Sequence, residues 1–276
     1  MRRNNEERLM KGHSPQKTEE VPMMANPMDF VTPTEMVDLP SKGRYPEGHP
    51  LRGAQSIEIK HMTAKDEDTL TNRGLLKKGL AIDRLIQNVI KDKSIDHQSL
   101  YIGDRNAIIV YSRAFAYGED YKTKVQCPSC GETNGIKFDL RDHEVYSGDD
   151  YQELDIEATE NETFVVSLPF SKIKAEIRPL TGADEISIVA EDKNVMDNII
   201  TKQMKRFVMN FNGYSDRKTI DYVCDNMVAG DSKYLRNAFK IISPDIKMNY
   251  DFTCKNCGYE EVITVPFGTD FFWPNE

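Results

Sequence analysis

Four cysteines carry the chemistry in this sequence. They fall in two copies of one pattern, Cys127-Pro128-Ser129-Cys130-Gly131 and Cys254-Lys255-Asn256-Cys257-Gly258. A single tight turn can aim two thiols with this spacing at a common point, and the glycine gives the turn its open backbone. Two such turns supply four thiolates, the full tetrahedral shell of a structural zinc ion. One CxxC alone is weak evidence, whereas a matched pair, each closed by glycine, is specific. The predicted ligands are Cys127, Cys130, Cys254 and Cys257, with Zn2+ as the cofactor.

The flanks show what must hold these turns. Residues 121–125 and 136–140 surround the first, and residues 248–252 and 262–265 the second. Most alternate apolar and polar, as half-buried strands do. Each CxxC is therefore predicted at the tip of a β-hairpin. A redox CxxC of the thioredoxin kind would open a helix instead. Disulfides are the other alternative, but no secretory signal is visible and the cytosol keeps thiols reduced. The fifth cysteine, Cys224, shares a helical face with Ile220, Val223 and Met227. A buried structural thiol is favoured there over a reactive one.

Four thiolates saturate the metal and leave no position for water or substrate. The sequence has no phosphate-binding glycine loop, nucleophile elbow or HExxH pair, and its five histidines are scattered. No catalytic residues are assigned; neither an enzyme nor a small-molecule substrate is expected. The 276 residues suffice for one large domain or two modest ones. A net charge of −9 disfavours a polyanion partner. The longest apolar run, 107–111, cannot span a bilayer, and the N-terminus lacks the apolar core of a signal peptide. A soluble protein inside a cell is expected.

The chain then divides. Residues 1–29 mix both charges with Pro15, Pro22 and Pro27, and read as a flexible arm, either a tether that orders on a partner or a plain tail. Residues 30–145 form a first unit. It has strands ending near Pro40 and around Ile57-Glu58-Ile59-Lys60, and an irregular Pro/Gly loop at 41–53. A turn capped by Thr63 follows, then one helix across Leu75 to Ile90, then another from Asp104 to about Tyr117. Residues 146–162 are acidic and read as a linker. Residues 163–276 then repeat the pattern. Leu168 echoes Leu39, Thr181 echoes Thr63, Gly230-Asp231 echoes Gly103-Asp104, and the second CxxCG closes the copy. The expected fold is α+β, with internally duplicated half-domains whose β-hairpin knuckles form one four-cysteine zinc ribbon.

Candidate docking features remain. The proline-stiffened loop carries Arg44 and Tyr45, residue types that anchor interfaces. Near the end stand Phe271, Phe272 and Trp273, to be covered either by the chain itself or by a neighbour. A zinc-ribbon module that binds nucleic acid in a transcription or replication complex is the rival reading. It would need clustered basic residues, yet Lys122, Lys124 and Lys255 are offset by Glu132, Glu260 and Glu261.

Residues 39–51, 57–68 and 76–79, together with Cys127-Pro128-Ser129-Cys130-Gly131, resemble the baseplate hub proteins of T-even-like contractile-tailed phages. The likeness runs from about residue 30 to the C-terminus. It implies a non-enzymatic virion or assembly protein of the tail baseplate near the central hub. Its partners would be other baseplate proteins, met in multiple copies per virion, with no membrane or nucleic acid. It would be made in the host cytoplasm and end in the tail. The family supplies no catalytic residues.

Overall fold

The computed structural model describes residues 31–153, 155–190, 199–265 and 271–272. The arm at 1–29 and Trp273 lie outside the described residues.

The chain from Pro33 onward begins with a two-stranded antiparallel ribbon, β1 (Thr34–Asp38) and β2 (Ser56–Lys60), with Val37 opposite Ile57. Alternation sets its faces: Val37, Ile57 and Ile59 are buried while Glu58 and Lys60 stand outward. Thr63 then caps α1 (Ala64–Thr71). Its backbone N–H and its hydroxyl both donate to Asp66 Oδ2, at 2.9 and 2.7 Å, a reciprocal box that satisfies the helix start.

The apolar stretch expected as one helix is two, α2 (Arg73–Lys77) and α3 (Ala81–Val89). The break has a local cause. Gly79 takes φ +67°, its N–H reaches the Leu76 carbonyl, and the Leu80 N–H reaches the Leu75 carbonyl. That double bond over a left-handed glycine terminates a helix. Leu76 is consequently 40% exposed, while Leu85, Ile86 and Val89 enter the core.

The long helix α4 (Ile102–Tyr117) crosses that core and leads into the hairpin β3 (Asp120–Gln126) and β4 (Thr133–Asp139), then β5 (Glu144–Tyr146). The acidic stretch at 146–162 is not a free linker. Tyr146 donates to the Ile241 carbonyl at 2.6 Å, Tyr151 packs edge-on against Phe164, and Ile156 is buried in β6 (Ile156–Ala158). One hydrogen bond and two apolar contacts hold this segment in place despite the acidity that made it read as a linker.

An antiparallel sheet follows, ordered β6, β7 (Phe164–Ser167), β8 (Lys174–Ile177) and β9 (Val208–Phe211). Between β8 and β9 lie α5 (Gly182–Ala190) and α6 (Ile199–Phe207). Thr181 caps α5 as Thr63 caps α1, with its N–H and hydroxyl both 2.9 Å from Asp184 Oδ2. After β9 come α7 (Arg217–Asn226), α8 (Ala229–Ile242) and β10 (Asp245–Lys247), which pairs with β5. The hairpin β11 (Asn249–Thr253) and β12 (Glu260–Thr264) closes the described fold.

Two main cores result. One gathers around α3 and α4, and includes Ile246, Met248, Val265, Phe271 and Phe272 from the far end of the chain. The other gathers around β7, β8, α6 and α8. Cys224 is buried there, as its helical face predicts, and burial pushes its thiol up to about 12. Backbone bonds tie the two regions: Ile102 N–H to the Leu180 carbonyl, Gly182 N–H to the Leu100 carbonyl, and Ala183 N–H to the Gln98 carbonyl.

Candidate metal centre

Each cysteine turn is built by the same two backbone bonds. In the first, the Gly131 N–H reaches the Cys127 carbonyl at 2.9 Å and the Cys127 N–H reaches the Glu132 carbonyl at 2.8 Å. In the second, Gly258 reaches Cys254 at 2.9 Å and Cys254 reaches Tyr259 at 2.8 Å. Gly131 and Gly258 take φ +76° and +71°, which side-chain-bearing residues rarely adopt. Both hairpins lean together over a small core of Ile136 and Phe252.

The four sulfurs converge. Cys127 Sγ lies 3.7 Å from Cys257 Sγ, and Cys130 Sγ lies 3.7 Å from Cys254 Sγ. All four lie within 4.8 Å of one another. A tetrahedron with metal–sulfur distances of about 2.3 Å has sulfur–sulfur edges of roughly 3.8 Å. The donor set therefore fits a metal ion, and all five cysteines are free thiols. The N–H groups of Cys257 and Asn256 point at Cys254 and lower its thiol pKa, whereas contacts with the other cysteines raise that of Cys257. Such donors favour the thiolate, the form that binds metal. Cys127 and Cys254 are buried whereas Cys130 and Cys257 are exposed, so the centre sits at the surface.

Asn134 joins the two turns and was not singled out in the sequence. It is buried on β4, donates its amide to Cys254 Sγ at 3.4 Å, and accepts from the Lys255 N–H at 2.9 Å. Its signal was a polar residue at an inward position of the strand after Cys130, visible once the hairpin register is known.

The expected docking side chains lie elsewhere, and mostly inward. Tyr45 is buried. Its ring is stacked between His49 (4.0 Å) and Tyr101 (4.4 Å), and its hydroxyl meets Asp104. Asp104 also accepts from the Ser41 N–H and hydroxyl, so the loop at 41–53 folds back onto the start of α4. Burial raises both the Tyr45 and the Asp104 pKa. Arg44 is partly covered. It donates to the Ser147 and Gly148 carbonyls and pairs with Asp149 at 2.9 Å. Phe271 and Phe272 are buried against Tyr121 and each other, and Arg113 donates to the Phe271 carbonyl at 3.1 Å. In the described fold Tyr45, Phe271 and Phe272 are covered by the chain itself, because large apolar area close to α4 is more stable filling the chain's own core. Gly103-Asp104 marked the repeat in the sequence, but nothing there showed that Asp104 holds the loop.

The site defines a class: a protein with a cysteine cluster that could hold a metal, stapling two hairpins distant in sequence. A family model described as T4 bacteriophage base plate protein matches residues 32–273. The chain belongs to that family and is a baseplate protein of T4-like phages. No curated protein and no solved structure matches it. Among the described residues, no helix is long and apolar enough to cross a membrane.

Proposed function

We propose that this chain is a non-enzymatic structural part of the hub region of a contractile-tail baseplate, rigidified by one structural zinc ion. One observation carries the reading: four thiols from turns more than 100 residues apart converge at tetrahedral spacing. With four protein ligands the metal has no open position, so it holds and does not react. Zinc suits an all-thiolate tetrahedral set better than oxygen-seeking cations do. Its binding free energy, on the order of 10 kcal/mol in small fingers, exceeds the loop-closure cost of joining the two hairpins. Cys127, Cys130, Cys254 and Cys257 would hold it as one ribbon of two knuckles.

An internal duplication is part of the reading. Several contacts recur in register. The Leu39 N–H meets the Gln55 carbonyl as the Leu168 N–H meets the Ile173 carbonyl. Ile59 bridges Ile90 as Ile177 pairs with Val208. Ser41 N–H meets Asp104 as Phe170 N–H meets Asp231, each at 2.9 Å. These support two copies, residues 30–145 and 163–276, closed by one metal about a pseudo-twofold axis. The protein would be made in the host cytoplasm, enter the tail baseplate in several copies, and act through other baseplate proteins.

The test is complementation of a phage lacking this protein. The wild-type chain should restore tails that contain it, with one zinc per chain by elemental analysis. Replacing all four cysteines with serine should abolish both. Normal tails from that variant would overturn the zinc reading, and absence of the wild-type chain from finished tails would overturn the structural one.

A further inference from the structure

The two β-ribbons differ at one edge. In the later half, β6 covers the outer edge of β7, with Glu157 opposite Val165. In the earlier half, β1 occupies the matching position, and among the described residues its only strand neighbour is β2. The Leu39 N–H and the Pro33 carbonyl bond toward β2, at 2.8 and 2.9 Å. Antiparallel alternation then turns the backbone N–H and C=O of Thr34, Met36 and Asp38 outward. Met36, in mid-strand, is 59% exposed. An open row of backbone groups beside an exposed apolar side chain is a template for one more strand.

The chain's own preceding segment is poorly suited to that place. The hairpin that returns β6 onto β7 puts Glu162 at φ +57°. With Val37 matched to Val166, Glu162 corresponds to Pro33, whose ring holds φ near −65°. The same match sets Asp29 opposite Glu35, where Ala158 faces Phe164 in the other half, and like charges directly opposite are unfavourable. A second copy fares no better. β1 carries Glu35 and Asp38, both exposed, and no basic residue, so two copies would crowd carboxylates along one seam.

We propose that the outer edge of β1 receives an extended strand from a different baseplate protein, with basic side chains beside Glu35 and Asp38 and an apolar one against Met36. The proposal rests on the reading that this chain works by contacts. Backbone pairing gives such a strand its hold, and the acids select its charge and exclude self-pairing.

Two probes test it on the full-length protein. In amide NMR, the peptide acetyl-Lys-Thr-Val-Lys-Thr-amide, which paired antiparallel sets its lysines beside Asp38 and Glu35 and its valine against Met36, should shift Thr34, Met36 and Asp38, and its glutamate counterpart should not. In complementation, Met36→Pro removes an outward N–H and the exposed side chain but none of the bonds to β2, and proline is tolerated on edge strands, so folding should persist while incorporation into baseplates falls. The double variant Glu35→Lys/Asp38→Lys keeps every backbone group. It should lose the lysine peptide and drop incorporation about tenfold or more, as reversed charges do across an interface. Wild-type incorporation by the double variant overturns the proposal while leaving the baseplate reading intact. Absence of the wild-type chain from tails overturns that reading instead. Met36 and Asp38 amides that are protected in the isolated chain, and released when residues 1–29 are removed, would assign the edge to the chain's own arm and also overturn the proposal.

Discussion

The Tyr45 hydroxyl donates to the Asp104 carboxylate at 2.5 Å, across 59 residues of chain. The same oxygen of Tyr45 accepts the Tyr101 N–H at 3.1 Å. Removing the hydroxyl leaves a buried carboxylate short of a donor and a buried N–H without its acceptor. Tyr45→Phe is expected to lower stability by about 1–3 kcal/mol, the range for orphaned buried polar groups. Tyr45→Ala should lose about 3–5 kcal/mol, because a stacked ring leaves a cavity. Urea unfolding measures both. A Tyr45→Ala variant as stable as the parent would show that the loop does not pack as described. For the same reason, deleting residues 43–53 should destabilise the fold around α4 and not merely remove a docking arm.

Asp184 caps α5 and is held by Arg178 through two bonds, at 2.7 and 3.0 Å. Burial pushes its carboxyl up, but Arg178 and the Thr181 N–H outweigh that and set it below the ordinary carboxylate range. A depressed acid stabilises the fold above its unfolded pKa, and that stability is lost as pH falls through the folded value. Asp184→Asn should therefore cost about 1–2 kcal/mol at neutral pH, the scale of a lost cap and charged hydrogen bond. The gap from the parent should close below pH 4. Thermal unfolding across pH 3 to 7 checks it, and a gap constant with pH would refute the assignment.

Cys224 is buried beside Ile220 and Leu235 and is remote from the sulfur cluster in its core assignment. Its raised pKa keeps it a thiol at neutral pH. Native protein should leave it unreacted with iodoacetamide until unfolded. Cys224→Ser should keep the full metal content and cost about 1–3 kcal/mol for burying a hydroxyl in an apolar site. Loss of metal in that variant would mean the ligand set is wrong.

The cysteine turns were legible from sequence because their chemistry is local: spacing, glycine and alternating flanks sit within a few residues. The strands of the two cysteine hairpins and the helix leading into the first followed from periodicity in the same way. Three features were not legible, two of them because a distant partner decides them. Tyr45 looked exposed since its loop is polar and rich in proline, and Asp104, Tyr101 and His49 together draw it inward. The acidic stretch looked solvated because Tyr146 and Ile156 find their cover in α8 and β7. The helix break at Gly79 was a local signal, outweighed in the reading by the apolar period on either side.

Asn134 gives the metal centre its sharpest test. It belongs to the first hairpin but bonds to Cys254 Sγ and to the Lys255 N–H of the second. It therefore orients a ligand without being one, and it couples the two turns whether or not metal is bound. Asn134→Ala should keep one metal per chain at saturating zinc yet weaken affinity about ten- to a hundredfold, as loss of supporting hydrogen bonds around metal ligands does. Asn134→Asp keeps the acceptor but sets a charge against a thiolate, and should be weaker still. Competition with a chromogenic chelator reads both, and the number and identity of the metal come from elemental analysis of the untreated protein. Should both variants bind as the parent does, Asn134 would be a packing residue only. Should the parent bind no metal at all, the convergence of Cys127, Cys130, Cys254 and Cys257 would need another account.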